Sequence, residues 1–320
     1  MPFQVYNIST VPDDINYPDI YFTPEYGKAC EQSDGAVWEL CQYKDLIYVY
    51  LKKEYAVGST VYYDLITPYG YSGYWFKEQA TFDEFILLFR TYAFDQNFLT
   101  EVVRQTPYLG VDISSDYSVI ATKPIFSIET TNFDHYYTTI LKSSTRNIIK
   151  KASILNYSYK MVELNEESIQ ASFLDMYNQT MVKVNASPYY YFNPGYYAHM
   201  GQLPNCKLIC IYDKSNCIIG SSIIFIYKEF VHYHLSCNDN SSNCITNFLL
   251  NSVIREIGIG KKIIIGGGLT ANDSLHSFKK KISTTRYEYV VYKHVFNETV
   301  CNKIAASYDA PKGYFPIHRQ

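Results

Sequence analysis

One stretch of the sequence, residues 263–283, combines the residue types and the spacing that chemistry needs. Three isoleucines are followed directly by Gly266, Gly267 and Gly268, and a polar loop then leads to a lysine-rich helix. Three glycines after a buried strand cost chain entropy, so they fit a backbone that turns sharply or lies against a ligand. The pattern predicts that the functional site lies here.

Two side chains are candidates for a general base. Asp273 precedes the predicted lysine-rich helix, where it could act as a base or serve only as the N-cap. His234 shares one face of a predicted strand with His232, and it could accept a proton near neutral pH. A hydrogen-bonded core histidine is the alternative for His234. An amine that arrives neutral would require no protein base.

A stripe of positive charge follows the predicted helix Tyr136–Ser153. Its members are Lys142, Arg146, Lys150 and Lys151. Spacing alone leaves two interpretations open, a solvated helix face or a clamp that binds an anion.

The elements that position these residues alternate between helices and strands. Apolar spacing predicts five longer helices: Pro24–Ser33, Phe82–Ala93, Tyr136–Ser153, Glu166–Val182 and Ser242–Ile257. In the second half, a helix precedes three antiparallel strands, a helix, a strand, the lysine-rich helix and a closing strand. A mixed, mainly antiparallel sheet with helices on its faces satisfies this order, which places the fold in the α+β class. The predicted domains are 1–130 and 131–320.

Composition narrows the class of protein. With 320 residues, 47% of them hydrophobic and 18% charged, the chain is long enough for two folded domains and unlike a disordered protein. The net charge of −3 argues against a protein whose main task is holding long nucleic acid. The 34 tyrosines suit sugar or nucleotide ligands, or they reflect compositional drift. The eight cysteines lack metal-site spacing and are expected to be reduced thiols, so no metal site is predicted.

The N-terminus has no charged segment followed by an apolar one, and no apolar run reaches about 18 residues. We therefore expect a cytoplasmic protein without a membrane span. The sequence does not indicate its oligomeric state.

Four segments resemble a known family: 67–73, 144–159, 176–197 and 266–283. They are similar to motifs of the tandem-GNAT acyltransferases, a group that includes the FemA, FemB and FemX aminoacyltransferases and N-acyltransferases of surface-polysaccharide pathways. The resemblance implies two tandem GNAT-like domains, with the active site in the C-terminal one. It also implies transfer of an acyl or aminoacyl group to an amino group of a cell-envelope precursor, an amino sugar or its peptide.

The resemblance assigns roles within the opening stretch. Lys279 matches a family lysine that faces the reacting centre, so we expect it to stabilise the oxyanion. Phe278 is expected to anchor the helix in the core, together with Leu275 and Ile282 on the same face. Backbone amides of the three glycines could donate to the same oxyanion.

Binding residues follow from the same resemblance. Arg146 and Lys150 are candidates for the diphosphate of a nucleotide- or lipid-linked acceptor, because a guanidinium fork matches phosphate oxygens. Four further residues are expected to line the acceptor site, with core packing as the alternative for each tyrosine: Tyr177, Lys183, Tyr190 and Tyr191.

The sequence departs from the family pattern in the loop 238–243, NDNSSN. Acetyl-CoA-dependent members hold a pyrophosphate with a glycine-rich turn there, whereas this loop has no glycine and carries Asp239. No tightly bound cofactor is expected, and the donor could be acyl-CoA or aminoacyl-tRNA. Charged tRNA is then a possible partner. A non-catalytic module that binds a glycan or nucleotide is the remaining alternative.

Overall fold

The computed structural model describes residues 2–268, 273–306 and 315–319. Residues 269–272, which belong to the glycine stretch singled out above, lie outside that part. The chain divides into two compact units, unit 1 (Met1–Thr122 and Glu288–Gln320) and unit 2 (Lys123–Tyr287).

The structure contains the following strands, in chain order: β1 (Gln4–Asn7), β2 (Val37–Tyr43), β3 (Leu46–Val57), β4 (Thr60–Ile66), β5 (Tyr74–Trp75), β6 (Phe98–Arg104), β7 (Ser118–Glu129), β8 (Ser158–Val162), β9 (Cys206–Tyr212), β10 (Ile218–Tyr227), β11 (Phe230–Asn238), β12 (Lys262–Gly266) and β13 (Thr285–Val295). Its α-helices are α1 (Pro24–Asp34), α2 (Gln79–Asp95), α3 (Phe133–His135), α4 (Ser143–Ile154), α5 (Glu167–Lys183), α6 (Pro194–Gly201), α7 (Ile245–Ile257), α8 (Ser274–Ile282) and α9 (Glu298–Ala305). The mixture of helices with mainly antiparallel strands confirms a mixed α/β structure; that both units are GNAT-like stays a prediction.

Unit 1 is built on the strand order β1-β2-β3-β4-β6-β13, with β5 paired to β3. Its pairs are antiparallel except β4 with β6. Helix α2 buries Phe82, Phe85, Ile86 and Phe89, because this i, i+3, i+4, i+7 spacing forms one face. That face packs into an aromatic core with residues such as Tyr74.

Unit 2 is built on the order β7-β12-β11-β10-β9-β8, in which only β11 and β12 are parallel. Helix α7 buries Ile245, Leu249, Val253 and Ile254 in the core of this unit. Both long apolar elements therefore pack as the periodicity predicts.

The last part of the chain differs from the predicted domain 131–320, since residues from Glu288 onward belong to unit 1. The reason is pairing: β13 lies antiparallel to β6, from Val291 opposite Arg104 to Val295 opposite Thr100. The Phe296 amide then donates to the Leu99 carbonyl oxygen at 2.8 Å. A closing strand was expected from the sequence, but its partner strand was not.

The predicted single helix Tyr136–Ser153 is wrong. A π-helical turn, Tyr136–Ile140, follows α3, and the backbone is extended at Leu141 and Lys142 before α4 begins. Leu141 is 2% exposed and packs in the core of unit 2, so tertiary packing replaces the helical path at this residue. The β-branched residues of the turn also weaken the helix.

Candidate functional site

The candidate site begins where the parallel pair β11–β12 ends. Pairing runs from Phe230 opposite Lys262 to His232 opposite Ile264, although both strands continue. Just beyond this point β11 has a register shift against β10 at His234, and β12 has one against β7 at Ile265. Because a bulge re-aims a strand and ends its pairing, the two irregularities separate β11 from β12 here.

Each of the three glycines at the end of β12 is explained by a different structural feature. Gly266 has φ +69°, a left-handed conformation that favours glycine. A Cβ on Gly267 would lie 2.4 Å from the Pro124 carbonyl oxygen, and one on Gly268 would lie 2.4 Å from Oδ1 of Asp273. Contacts within the protein thus account for Gly267 and Gly268, while donation of their amides to an oxyanion stays a prediction.

Asp273 is the N-cap of α8, as the sequence predicted. Its Oδ1 accepts a hydrogen bond from the His276 amide at 2.6 Å, which satisfies one of the helix's free N–H groups. The same carboxylate lies against Gly268. A role as general base stays a prediction.

Lys279 lies on α8, partly buried, and its Nζ donates to the Gly267 carbonyl oxygen at 2.9 Å. Burial, with a smaller contribution from the Lys123 ammonium, lowers the pKa of this lysine to about 7, whereas Asp273 opposes the shift. Near neutral pH both the ammonium and the free amine are therefore populated. The ammonium can stabilise an oxyanion, and the amine can accept a proton.

Neighbouring residues on α8 fix the position of Lys279. Phe278 is partly buried against the core of unit 2, and Ile282 is 5% exposed within that core. Leu275 is 40% exposed, so the expectation that it shares the buried face is wrong. The nine-residue helix α8 is held in place by the buried Ile282 in its last turn and by its N-cap, Asp273.

His234 is a hydrogen-bonded, partly buried histidine. Its Nε2 lies 2.8 Å from the Tyr196 hydroxyl, and its ring packs against Phe225 at 4.5 Å between centroids. Burial lowers the pKa of His234 well below its usual 6.5, and nearby His232 contributes in the same direction, so the ring is neutral at pH 7. Its role as a base stays a prediction.

Tyr196 is a partner that sequence reasoning missed. It lies on α6, where the Asn193 side chain caps the helix by accepting from the Tyr196 amide and Pro194 occupies the first turn. Asparagine followed by proline is a start signal for a helix, and it was present in the sequence. The many tyrosines around Asn193 and Pro194 make this short helix difficult to predict from the sequence.

The basic stripe divides into two kinds of residue. Nη1 of Arg146 donates to the carbonyl oxygens of Thr138, at 2.8 Å, and of Leu141. The guanidinium thus stabilises the break before α4, which accounts for its position without a ligand. Lys150 is exposed on α4. Binding of a diphosphate by these two residues stays a prediction.

Tyr177 packs in the protein interior and not against an open site. It is 2% exposed, stacks on Phe173, and its hydroxyl donates to the Tyr190 carbonyl oxygen at 3.0 Å. The expectation that it lines the acceptor site is therefore wrong, because its ring packs on Phe173 and its hydroxyl is used by the Tyr190 carbonyl oxygen. Tyr190 is partly buried, and Tyr191 is 40% exposed.

Lys183, the fourth of the predicted acceptor residues, is exposed in the last turn of α5. It and the two tyrosines just described thus lie at the C-terminal end of α5 and in the segment that follows it. Their contact with an acceptor stays a prediction.

The loop before α7 uses its own side chains to satisfy its amides. Asn238 Oδ1 accepts from the Asn240 amide, and Asp239 Oδ1 accepts from the Ser241 amide, both at 2.9 Å. The N-cap residue, Cys244, makes no side-chain capping bond. The Asn240 and Ser241 amides are thus already hydrogen-bonded within the loop, and how the donor is held stays a prediction.

Residues 2–268, 273–306 and 315–319 contain neither a metal-binding cluster nor a membrane-spanning helix. No group of three or more His, Cys, Asp or Glu side chains there could hold a metal ion. No helix in the same ranges is long and apolar enough to cross a membrane.

Comparison of the sequence with protein-family models and with curated proteins finds no match. Solved structures do match. FemX has a TM-score of 0.68 at 10% identity, over 89% of this chain and 94% of FemX. The C-terminal domain (DUF2156) of a putative lysylphosphatidylglycerol synthetase from Agrobacterium fabrum has a TM-score of 0.56 at 10% identity, over 88% of this chain and 91% of that domain. L-PGS from Bacillus licheniformis has a TM-score of 0.51 at 14% identity, over 80% of this chain and 83% of L-PGS. At these identities the likeness shows that the fold is FemX-like.

Proposed function

We propose that the FemX-like chain is an N-acyltransferase, which transfers an acyl or aminoacyl group to an amino group of a cell-envelope precursor. The observation that carries the proposal is Lys279, held by the Gly267 carbonyl oxygen beside the separated ends of β11 and β12, with its pKa lowered to about 7. The FemX-like fold and the sequence resemblance around residues 266–283 support the same reaction class.

The reaction joins the acceptor nitrogen to the acyl carbonyl carbon. An oxyanion forms as the neutral amine attacks, and its collapse breaks the bond to the donor's sulfur or oxygen. The proton that the amine loses passes to this leaving sulfur or oxygen, which departs as a thiol or an alcohol. We assign the ammonium form of Lys279 to the oxyanion, because a fixed positive charge stabilises charge that develops only in the transition state. The hydrogen bond to Gly267 limits where this ammonium can lie.

The test compares two lysines of α8. Lys279→Ala is expected to lower turnover by roughly 10²–10³-fold and to leave substrate binding in place. Lys280→Ala is the matched control, since Lys280 is exposed and adjacent, and it should retain wild-type turnover. Turnover is measured as transfer of a radiolabelled acyl or aminoacyl group to an amino-sugar nucleotide or a cell-wall peptide. Unchanged turnover in Lys279→Ala would remove the role we assign to this residue.

The acceptor is proposed to be a nucleotide- or lipid-linked amino sugar or its peptide. Contacts from Tyr190, Tyr191 and Lys183 would hold it. If wild-type protein binds such acceptors but transfers no donor group to them, the chain is a non-catalytic binding module and the enzyme proposal fails.

A second candidate is a FemX-like ligase that uses aminoacyl-tRNA as donor. It is favoured by the loop before α7, whose Asn240 and Ser241 amides are occupied by side chains of the loop and whose Asp239 adds a negative charge that disfavours a pyrophosphate. Charged tRNA should bind with an affinity that falls steeply with salt, and CoA esters should not raise the melting temperature. Thermal stabilisation by CoA esters, without binding of charged tRNA, would instead select acyl-CoA as the donor.

A further inference from the structure

Unit 1 contains a cleft of about 350 Å³, whose lining residues all lie outside the glycine stretch 263–283. It is formed by the start of β7, the end of β13 and the first turn of α9. The lining residues used below are Ser115, Asp116, Tyr117, Lys293, His294 and Glu298. A cleft of this size is within the range of small-molecule sites.

One of its carboxylates is already neutralised. Asp116 Oδ1 lies 3.1 Å from Nη2 of Arg90, and its Oδ2 accepts from the Ser115 hydroxyl at 2.7 Å. Arg90 also donates to the Asp116 carbonyl oxygen at 2.8 Å. Asp116 thus shapes this wall of the cleft but offers little charge to a ligand.

The inner wall is fixed and uncharged. The Tyr117 hydroxyl donates to Oε2 of Glu101 at 2.7 Å, and this hydrogen bond fixes its position. His294 lies opposite Glu101 in the β13–β6 register. Burial lowers the pKa of His294 to about 4, the Arg90 guanidinium adds to the shift and Asp116 opposes it. The imidazole is therefore neutral at pH 7 and can both donate and accept a hydrogen bond.

Two opposite charges remain for a ligand. Lys293 is partly buried, and its Nζ lies 4.8 Å from the centre of the Phe315 ring. Glu298 is exposed at the start of α9. Neither forms a salt bridge with any residue in the described ranges.

We propose that this cleft binds a small zwitterion of the amino-acid class, with the carboxylate of the ligand at Lys293 and its ammonium at Glu298. His294 supplies a neutral hydrogen-bonding group to the same cleft. A ligand with one charge would leave the other protein charge unpaired, which disfavours simple amines and simple carboxylates. The site is independent of Lys279 and of acyl transfer.

The test uses isothermal titration calorimetry with the full chain at pH 7 and low salt. The probes are three zwitterions of increasing charge separation, L-alanine, β-alanine and γ-aminobutyrate. Propionate and ethylamine each keep one of the two charges. At least one zwitterion should bind at least ~10-fold more tightly than either single-charge probe. Equal binding of the single-charge probes, or no binding of any zwitterion at millimolar concentration, overturns the proposal.

Two charge-removing variants locate the site. Lys293→Gln and Glu298→Gln should each weaken the best zwitterion by ~10-fold, and Lys293→Gln should leave the affinity for ethylamine unchanged. Lys303→Gln is the matched control, since Lys303 is exposed on α9 and does not line the cleft. Circular dichroism confirms that each variant is folded. Binding that survives both cleft variants places the zwitterion elsewhere and overturns the assignment.

Discussion

Two ionisable groups, one in each unit, reach a pKa of about 7 from opposite sides. Burial lowers the pKa of Lys279 in unit 2 from 10.5, and burial raises the pKa of Glu101 in unit 1 from 4.5. In both cases burial favours the uncharged form, because a low-dielectric interior penalises a charge of either sign. The shift alone therefore does not separate a functional group from a structural one.

The partners of the two groups separate them. Glu101 is fully buried, and its oxygens accept from the hydroxyls of Tyr117 at 2.7 Å and Tyr74 at 3.1 Å. Lys279 has one hydrogen bond within the described part of the chain, to the Gly267 carbonyl oxygen. An ammonium has three protons, so Lys279 keeps donors for a ligand, whereas Glu101 has both oxygens engaged. We infer a structural role for Glu101.

The largest expected difference between the two groups is in catalysis. The loss of turnover in Lys279→Ala should be roughly 10²–10³-fold, equivalent to about 3–4 kcal/mol of transition-state stabilisation. Glu101→Gln keeps the shape and the hydrogen-bonding capacity of the side chain, so turnover should stay within about threefold of wild type. Steady-state transfer assays measure both. A large loss in Glu101→Gln, with the fold intact, would make the two groups functionally alike.

The second difference lies in the groups that hold the two side chains in place. Lys279 is held by a backbone carbonyl oxygen, that of Gly267, whereas Glu101 is held by tyrosine hydroxyls. Gly267→Ala places a methyl group 2.4 Å from the Pro124 carbonyl oxygen, and neither backbone can move freely. We expect a loss of about 2–3 kcal/mol in the free energy of unfolding, measured by urea denaturation. Gly58→Ala is the control: it has open space but φ +60°, so it should lose only about 1 kcal/mol. Because Gly267 lacks the left-handed φ of Gly58, a loss at Gly267 no larger than that at Gly58 would show that the contact with Pro124 relaxes at little cost.

The sequence predicts elements better than it predicts such contacts. Asp273 as N-cap and the buried faces of α2 and α7 follow from local spacing, which the chain carries in a few consecutive residues. Contact of Gly267 with Pro124 depends on β12 pairing with β7, which no local pattern specifies. The glycines could therefore be recognised as unusual, but the reason for each could not.

The same limit applies to the candidate site. Helical spacing places Arg146 in the basic stripe, but the break before α4 brings its Nη1 to backbone carbonyl oxygens, which no local pattern specifies. Tyrosine chemistry suits a sugar site, but tertiary packing buries Tyr177. The N-cap Asp273 and the partly buried Phe278 are local features that the sequence predicts, whereas the catalytic role of Lys279 stays a prediction.

The opposite signs of the two pKa shifts predict opposite dependences of protein stability on pH. Between pH 4.5 and about 7 the folded protein keeps a proton on Glu101 that the unfolded chain releases, so stability falls as pH rises. Between about 7 and 10.5 the unfolded chain keeps a proton on Lys279 that the folded protein releases, so stability rises with pH. At about 1.4 kcal/mol for each pKa unit, the fall should be on the order of 3 kcal/mol and the rise on the order of 5 kcal/mol.

Urea denaturation across this pH range measures both contributions. Glu101→Gln should remove the fall in stability below about pH 7 and leave the rise in stability above it. Lys279→Met should remove the rise and leave the fall. A fall that persists in Glu101→Gln would show that another group keeps the proton. A rise that persists in Lys279→Met would do the same for the alkaline range.

The smallest effect concerns the hydroxyls that surround Glu101. Tyr117→Phe removes the 2.7 Å hydrogen bond to Oε2 and should lower the free energy of unfolding by about 1 kcal/mol. Because that bond lowers the pKa of Glu101 against the effect of burial, the variant should also move the pH-dependent fall in stability to higher pH. Tyr43→Phe, which loses a hydroxyl on the protein surface that donates to Glu84, should change stability by less than about 0.5 kcal/mol and leave the pH dependence in place. If Tyr117→Phe lowers stability without moving the fall, the hydroxyl contributes packing and not charge stabilisation. The structural role of Glu101 would then depend on its burial and on the Tyr74 hydroxyl, which donates to Oε1 at 3.1 Å.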